Sequence, residues 1–457
     1  MNKQFDHTEH APEFEYANID ALRAAIAAGD RAQLVSILGR AHPADIADRF
    51  EQLSTSERES FVEMAPEIIS PSVLAELEDE VVEDILPLLA PKQITDAVIE
   101  LDSDDATQII EELNDEHREK VLAALPKRDR EEVKASLEFD EETAGRLMQR
   151  EFVAAPEFWT VGHAVDHMRT QGENLPDLFF DVYVIDAHFH PLGNIPLSTL
   201  MRSGRELPLN KIMSTNLTVI NPDMDQEDVA YLFEKYDLIS APVVDVDGRL
   251  SGMITVDDMF EVIQDEHTED MLALAGVNEA GLSDTVFSTV KARAPWLLVN
   301  LLTAICASFV ISMFKEEISK LVALAVLMPI VASLGGNTGI QALTVAIRAL
   351  VTRDLTSANA WRVIRREAMA ALMNGLIFAV LLAGVTYIWF RDPKLSLVIG
   401  AALIFNFLCA GLAGILVPLG LKKAGADPAV ASSVFVTTVT DVIGFFAFLG
   451  MAAVFLL

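Results

Sequence analysis

Five apolar stretches, each long enough to cross a bilayer as a helix, follow one another in the last third of this 457-residue chain. Crossing about 30 Å of hydrocarbon takes roughly 20 apolar residues in an α-helix, and residues 295–314, 321–347, 368–390, 395–421 and 428–457 meet that length. Backbone in lipid must satisfy its own hydrogen bonds, so these stretches are confined to helices and a purely soluble fold is excluded. An odd number of crossings puts the two ends of the chain on opposite sides. The flanks on the amino-terminal side hold nine basic residues, among them Arg348, Arg362, Arg365, Arg366, Lys422 and Lys423, against four on the other side. By the positive-inside tendency the amino terminus is cytosolic and the carboxyl terminus lies outside.

Charge divides the chain at the same place: residues 291–457 carry a formal +6 and residues 1–290 carry −40. That excess excludes a nucleic-acid binder, because neutralising phosphates takes Lys and Arg. The first forty residues lack the apolar core of a signal peptide, so residues 1–290 are expected to stay in the cytosol. The only two cysteines, Cys306 and Cys409, lie inside apolar runs without CxxC spacing and read as buried hydrophobes. His163 with His167 and His188 with His190 invite a zinc reading, but no Cys accompanies them in the acidic part and an exposed helical pair is the simpler account.

Two spans carry polar residues that lipid alone does not explain. The second follows Pro329 with Leu334, Gly335, Gly336, Asn337, Thr338, Gly339 and Gln341. Broken backbone at membrane depth is tolerated where it lines a wet cavity, and its carbonyls then become cation ligands; the alternative is a glycine face for close helix packing. The fifth span holds Asp441, the only acidic residue within any of the five runs, near mid-bilayer. A carboxylate there costs on the order of 2.5–3.5 kcal/mol on insertion scales. Thr438, Thr437 and Ser433 stand three, four and eight residues before it, giving one hydroxyl-lined helical face that ends in the carboxylate. No basic residue lies in any span, so a permeating cation is the natural counter-charge; a protonated Asp bonded to Asn406 or Asn374 is the rival account.

Residues 20–138 read as short amphipathic helices with a repeating apolar rhythm in 44–53, 92–101 and 106–113, which predicts an all-α superhelical domain. Residues 146–263 change to short β-branched runs between helices. Asp181–Leu200 matches Ser240–Met259 at an offset of 59, with Val184-Ile185-Asp186 on Val243-Val244-Asp245 and Gly193 on Gly252, while Leu147-Met148 pairs with Ile212-Met213. This tandem α/β repeat, 139–205 and 206–263, resembles a pair of cystathionine β-synthase (CBS) domains, modules that commonly bind adenine nucleotides. The family's ribose-contacting Thr-x-x-Asp stands at Thr255 and Asp258 and is missing from the first repeat, so at most one ATP-type site is implied. Asp257, Asp258, Glu261, Asp265, Glu266, Glu269 and Asp270 then run into a linking helix expected over 264–290. Like charges at i, i+3 and i+4 repel, and hard dications such as Mg2+ or Ca2+ would relieve them; a solvated acidic face is the alternative.

The whole pattern, from about residue 20 to the end, resembles the MgtE family of magnesium transporters and channels. The resemblance rests on Ala41-His42-Pro43-Ala44-Asp45-Ile46-Ala47-Asp48, on Pro329 through Leu334-Gly335-Gly336-Asn337-Thr338-Gly339 to Gln341, on Thr437-Thr438-Val439-Thr440-Asp441, and on the domain order. It implies a multidomain membrane protein: a flexible start (1–19), the helical domain (20–138), the CBS pair, the linking helix and a five-helix membrane domain (291–457). It further implies a homodimer of the cytoplasmic membrane whose second and fifth spans line a pore, closed when cytosolic Mg2+ binds. Pore positions carried over are Asp441, Thr437, Thr438, Ser433, Asn337, Gly335, Gly336 and Gln341; sensor positions are Asp237, Asp258, Glu261, Glu266, Glu269 and Asp270. Asp102, Asp104 and Asp105 are further candidates in the helical domain. The expected function is Mg2+-selective, channel-like transport without enzymatic activity. The alternatives are a carrier exchanging the dication against H+ or Na+ and a membrane-anchored nucleotide sensor. Carboxylate and carbonyl ligands do not by themselves separate Mg2+ from Co2+, Ni2+ or Mn2+.

Overall fold

The computed structural model describes residues 19–39, 41–172, 175–176, 178–275, 277, 286–355 and 358–456. The flexible start expected over 1–19 lies outside them except for Ile19, as does part of the linking segment. The chain forms two units, residues 1–264 and 265–457.

The first unit opens with a helical domain, made among the described residues of α1 (Ile19–Ala28), α2 (Arg31–Leu38), α3 (Pro43–Glu51), α4 (Thr55–Met64), α5 (Pro71–Ala75), α6 (Asp79–Ile85), α7 (Pro91–Glu100), α8 (Ser103–Glu111), α9 (Asp115–Ala124) and α10 (Lys127–Ser136). Their apolar faces share one core that includes Leu22, Phe50, Phe61, Ile85, Ile94 and Ile110. The repeat is sharper than the sequence rhythm indicates. The α3–α4 and α8–α9 pairs match at an offset of 60, so that Phe50, Leu53, Arg58 and Pro66 correspond to Ile110, Leu113, Arg118 and Pro126. Arg58 donates to the carbonyls of Phe50 and Glu51 (3.3 and 2.8 Å), and Arg118 does the same for Ile110 and Glu111. A helix leaves its last carbonyls without internal donors, and one guanidinium fork supplies them at each corner.

The CBS region follows with α11 (Ala144–Leu147), β1 (Ala154–Pro156), α12 (Val161–Gln171), β2 (Asp181–Ile185), β3 (Pro191–Pro196) and α13 (Leu197–Arg202), then α14 (Gln226–Tyr236), β4 (Ser240–Val244), β5 (Leu250–Thr255) and α15 (Val256–Leu274). The β2–β3 and β4–β5 hairpins are antiparallel in the same register, Val184 facing Gly193 and Val243 facing Gly252, with an irregularity at the same place in each. The offset of 59 is therefore structural. The boundary at 205/206 is crossed by an exchange. Ala144, Leu147 and Met148 pack into the core of the second repeat with Val229, Phe233 and Ile254, while Ile212 and Met213 pack into that of the first. His163 and His167 are an exposed pair on α12, as expected, and both rings also lie against Trp159, at 4.6 and 4.9 Å between centroids.

The second unit contains α16 (Val286–Met313), α17 (Lys315–Lys320), α18 (Ala323–Val351), α19 (Ala360–Phe390), α20 (Pro393–Lys423) and α21 (Pro428–Phe455). Five of these helices, all but α17, are long and apolar enough to cross a membrane. The buried share of the most apolar window is 61% in α20 and 6% in α16, so α20 is the centre and α16 the outlier. Cys306, on α16, is accordingly exposed rather than buried, and Cys409 is intermediate.

Two expectations are corrected here. The second span is not broken: α18 runs as one helix through Pro329, Gly335, Gly336 and Gly339. The glycines serve packing, for a Cβ on Gly339 would lie 2.6 Å from Val436 and one on Gly414 2.6 Å from the Gly339 carbonyl. The linking helix is not a separate 264–290 element either. It begins inside the second repeat as α15 and ends at Leu274, and α16 starts at Val286; residues 276 and 278–285 lie outside the described residues.

Candidate functional site

Polar residues of α18 recur every three to four positions on one face. Ser333, Asn337, Gln341 and Thr344 are all exposed in the single chain, whereas Val331, Gly335, Gly339 and Leu343 are buried. Of the pore positions expected on this helix, Asn337 and Gln341 therefore share the open face. Gly335 turns to α20, and a Cβ on Gly336 would lie 4.0 Å from Thr440 Oγ1 of α21. Ser333 and Thr344 extend the stripe and are missed by a reading centred on the glycine run, although their spacing of four and seven from Asn337 is the signal that finds them.

On α21, Asp441 is half-buried, and among the described residues none donates a hydrogen bond to it. Neither partner of the neutral-Asp account bonds it among the described residues: Asn406 gives an Nδ2 proton to Val331 O at 3.0 Å, and Asn374 is exposed. The hydroxyls before Asp441 donate to their own helix. Thr437 gives its proton to the Ser433 carbonyl at 3.0 Å and Thr438 to the Val434 carbonyl at 2.6 Å. With their protons committed, these oxygens offer lone pairs outward, which suits a cation. Ser433 is partly exposed on the same face.

A second acidic centre lies in the first unit, where the start of α8 meets the start of α15. Burial, then the negative charge of Asp258, Asp105 and Asp102, hold the Asp104 carboxyl well above the usual carboxylate range. Asp105 is pushed up to about 7 by burial and by Asp258, Asp102, Glu261 and Glu76. Asp258 is pushed up to about 6, chiefly by burial and against the hydrogen bonds it accepts from Thr255. The helical-domain candidates Asp102, Asp104 and Asp105 thus join the expected sensors Asp258 and Glu261. The start of α8 is fixed by Ser103, whose hydroxyl donates to Glu151 at 2.9 Å and accepts from the Arg150 backbone at 2.8 Å.

Among the described residues no three carboxylates or other ligating side chains converge tightly enough to hold a bare ion. The donor set, oxygen only and mutually repelling, fits a dication that keeps part of its water, as Mg2+ does. The expected nucleotide pair is engaged in the same place, since Thr255 Oγ1 donates to Asp258 at 2.7 Å.

Other expected sensors lie elsewhere. Asp237 is exposed at the end of α14 in a left-handed conformation (φ 52°). Glu266, Glu269 and Asp270 fall in the second unit on the last turns of α15. Ala273 there packs against Leu343 and Ile347 of α18 and Ala429 and Val436 of α21. Asp270 is raised by burial and by Asp427, which caps the start of α21, with His267 opposing. Asp427 and Glu76 escape sequence reasoning because each joins its partners only through the tertiary fold.

Comparison with known proteins finds relatives along most of the chain. The family model for MgtE, described as a divalent cation transporter, matches residues 328–451; the MgtE intracellular N domain matches 41–142 and the CBS domain 209–265. The magnesium transporter MgtE of Thermus thermophilus is 32% identical over 445 residues, covering 95% of this chain and 98% of that protein. Its namesake from Enterococcus faecalis is 33% identical over 320 residues, 70% of each chain. Among solved structures, the cytosolic domain of the Mg2+ channel MgtE in complex with ATP is 29% identical and covers 53% of this chain and 99% of that one, with a TM-score of 0.49. The soluble part of a magnesium transporter is 26% identical and covers 54% and 97%, with a TM-score of 0.47. The chain is a multi-pass membrane protein, and it belongs to the MgtE family of divalent cation transporters.

Proposed function

We propose that this protein is a Mg2+-selective, channel-like transporter of the cytoplasmic membrane, built as a homodimer and closed by cytosolic Mg2+. The observation that carries the reading is a polar stripe at membrane depth that the described residues leave open: Ser333, Asn337, Gln341 and Thr344 are exposed on α18. Lipid is a poor neighbour for such a stripe, so either water or a second copy must cover it. A pore between two copies supplies both. The nearly uncovered α16 agrees, since a second copy and lipid are the two surroundings in which it is stable. Asp441 meets the ion with its water still on, because Mg2+ dehydrates reluctantly.

Closure follows from linkage. Carboxylates that repel one another at the α8–α15 junction favour separation without ions and approach with them, so cytosolic Mg2+ shifts the balance between two arrangements. Asp104, Asp105, Asp258 and Glu261 would hold a regulatory ion in the first unit, and Asp270 with Asp427 in the second. Adenine nucleotide at Thr255 and Asp258 belongs to the same proposal, and its ribose would compete with the acidic patch for Asp258. The amino terminus is placed in the cytosol and the carboxyl terminus outside, as the basic flanks require.

The deciding experiment is Mg2+ influx into proteoliposomes with Asp441→Ala. Loss of flux in a protein of unchanged assembly supports the pore, and unchanged flux removes it. Flux that follows an imposed H+ or Na+ gradient beyond its effect on voltage would turn the reading into a coupled carrier.

A further inference from the structure

One amide in the membrane unit is placed where stability alone gives it no reason to be. Asn406, on α20, is fully buried (0% exposed). Its Nδ2 donates to the Val331 carbonyl of α18 at 3.0 Å. Its Oδ1 is buried and, among the described residues, has no donor.

Glycines on two other helices make the space for it. A Cβ on Gly335 of α18 would fall inside the Asn406 amide nitrogen, and one on Gly444 of α21 would lie 2.7 Å from the same nitrogen and 3.1 Å from Oδ1. Gly335 stands two residues before Asn337, and Gly444 one helical turn after Asp441. A single side chain therefore sits between the two helices that carry the polar ion-path residues, at their level.

Leu has nearly the shape of Asn and would leave no acceptor without a donor. Replacing a half-satisfied buried amide by an apolar isostere removes the cost of its orphaned oxygen, and the Val331 carbonyl left behind lies inside a continuous helix that can still bond it. What Leu lacks is the N–H that grips the Val331 carbonyl, which can accept a second proton beside its helical bond. We propose that Asn406 is a positioning residue of the ion path: by gripping α18 at Val331, six residues before Asn337, and seating against Gly444, it fixes the rotation of α18 against α21 and so the spacing of Asn337 and Asp441. The inference rests on the pore reading above and goes beyond it, since among the described residues the amide hydrogen-bonds neither the open stripe nor Asp441.

The test uses the full-length protein in proteoliposomes, with melting and assembly measured in detergent. Asn406→Leu should melt at the same or a higher temperature, keep its assembly size, and lose Mg2+ influx by roughly tenfold or more, as displaced polar groups do. Influx within about twofold of the parent overturns the proposal, and so does a loss of influx matched by a loss of melting temperature, which is the mark of a purely structural residue. Gly335→Ala gives a second route that decides even where Asn406→Leu fails to assemble. Alone it should lose influx, because its methyl displaces the amide from Val331, and adding Asn406→Ala, which removes the amide altogether, should restore none of it. Influx kept by Gly335→Ala alone, or brought back to near the parent level in the double variant, overturns the proposal, because the ion path would then be intact without the grip of the amide. Asp441→Ala, run in parallel, separates the cases: if it leaves influx intact the pore reading has failed, and if it abolishes influx while Asn406→Leu is harmless only the present inference has.

Discussion

The two acidic centres are built on opposite principles. At the α8–α15 junction Asp104, Asp105 and Asp258 are crowded, each made harder to ionise by its neighbours as well as by burial. In the membrane Asp441 has no acidic neighbour on its own span and, among the described residues, no hydrogen-bond donor. Crowded carboxylates store repulsion that ions release, so their occupancy changes with concentration. A solitary carboxylate among hydroxyls stores little and offers an ion a place to pause without a deep well. The first arrangement is suited to sensing and the second to passage.

The sharpest way to break this contrast is to remove the solitary group. Asp441→Ala should lower Mg2+ influx by about a hundredfold or more, the equivalent of roughly 2.7 kcal/mol lost from the ion's path. Removing the crowd should act in the reverse sense. Asp104→Asn, Asp105→Asn and Asp258→Asn together should keep influx high at millimolar internal Mg2+ and protect α8 in ion-free buffer by on the order of a few kcal/mol in hydrogen exchange. Exchange at α8 that still responds to Mg2+ would contradict the assignment.

The same contrast has a pH signature. Asp105 titrates at about 7 and Asp258 at about 6 in the folded chain, against an ordinary value of 3.8. Because the folded state holds these protons more tightly than the unfolded one, the ion-free junction is most stable below about pH 4 and loses stability as pH climbs through 6 to 7. Hydrogen exchange of α8 without Mg2+ should quicken over that window, and added Mg2+ should reverse the change at pH 8 with little effect at pH 5. The smallest expected effect comes from the scaffold: Arg118→Leu removes two hydrogen bonds from the end of α8, costs about 1–2 kcal/mol of local stability, and should weaken the Mg2+ response without touching influx at low Mg2+.

Much of this was legible in the residues. Segment lengths gave the five spans because lipid leaves the backbone one choice, and the offset of 59 gave the twin hairpins because matching strands repeat side chain by side chain. The lone Asp441 was visible because a charge in an apolar run is rare. The glycine run was misread as a break, since sequence shows that a helix has lost side chains but not that α20 and α21 fill the vacated space. The period of 60 in the helical domain stayed hidden because Arg58 and Arg118 betray it through carbonyls they reach, not through neighbours in the chain. Asp102, Asp104 and Asp105 were only candidates until the fold carried Asp258 to them from 150 residues away.

The exchange of segments between the CBS repeats bears on how any signal could travel. Since Met148 is a stone in the second repeat's wall and Ile212 in the first's, neither repeat can tilt without dragging a piece of the other. Any tilt would therefore be shared by the pair, and by the start of α15, whose Met259 and Val262 belong to that same core.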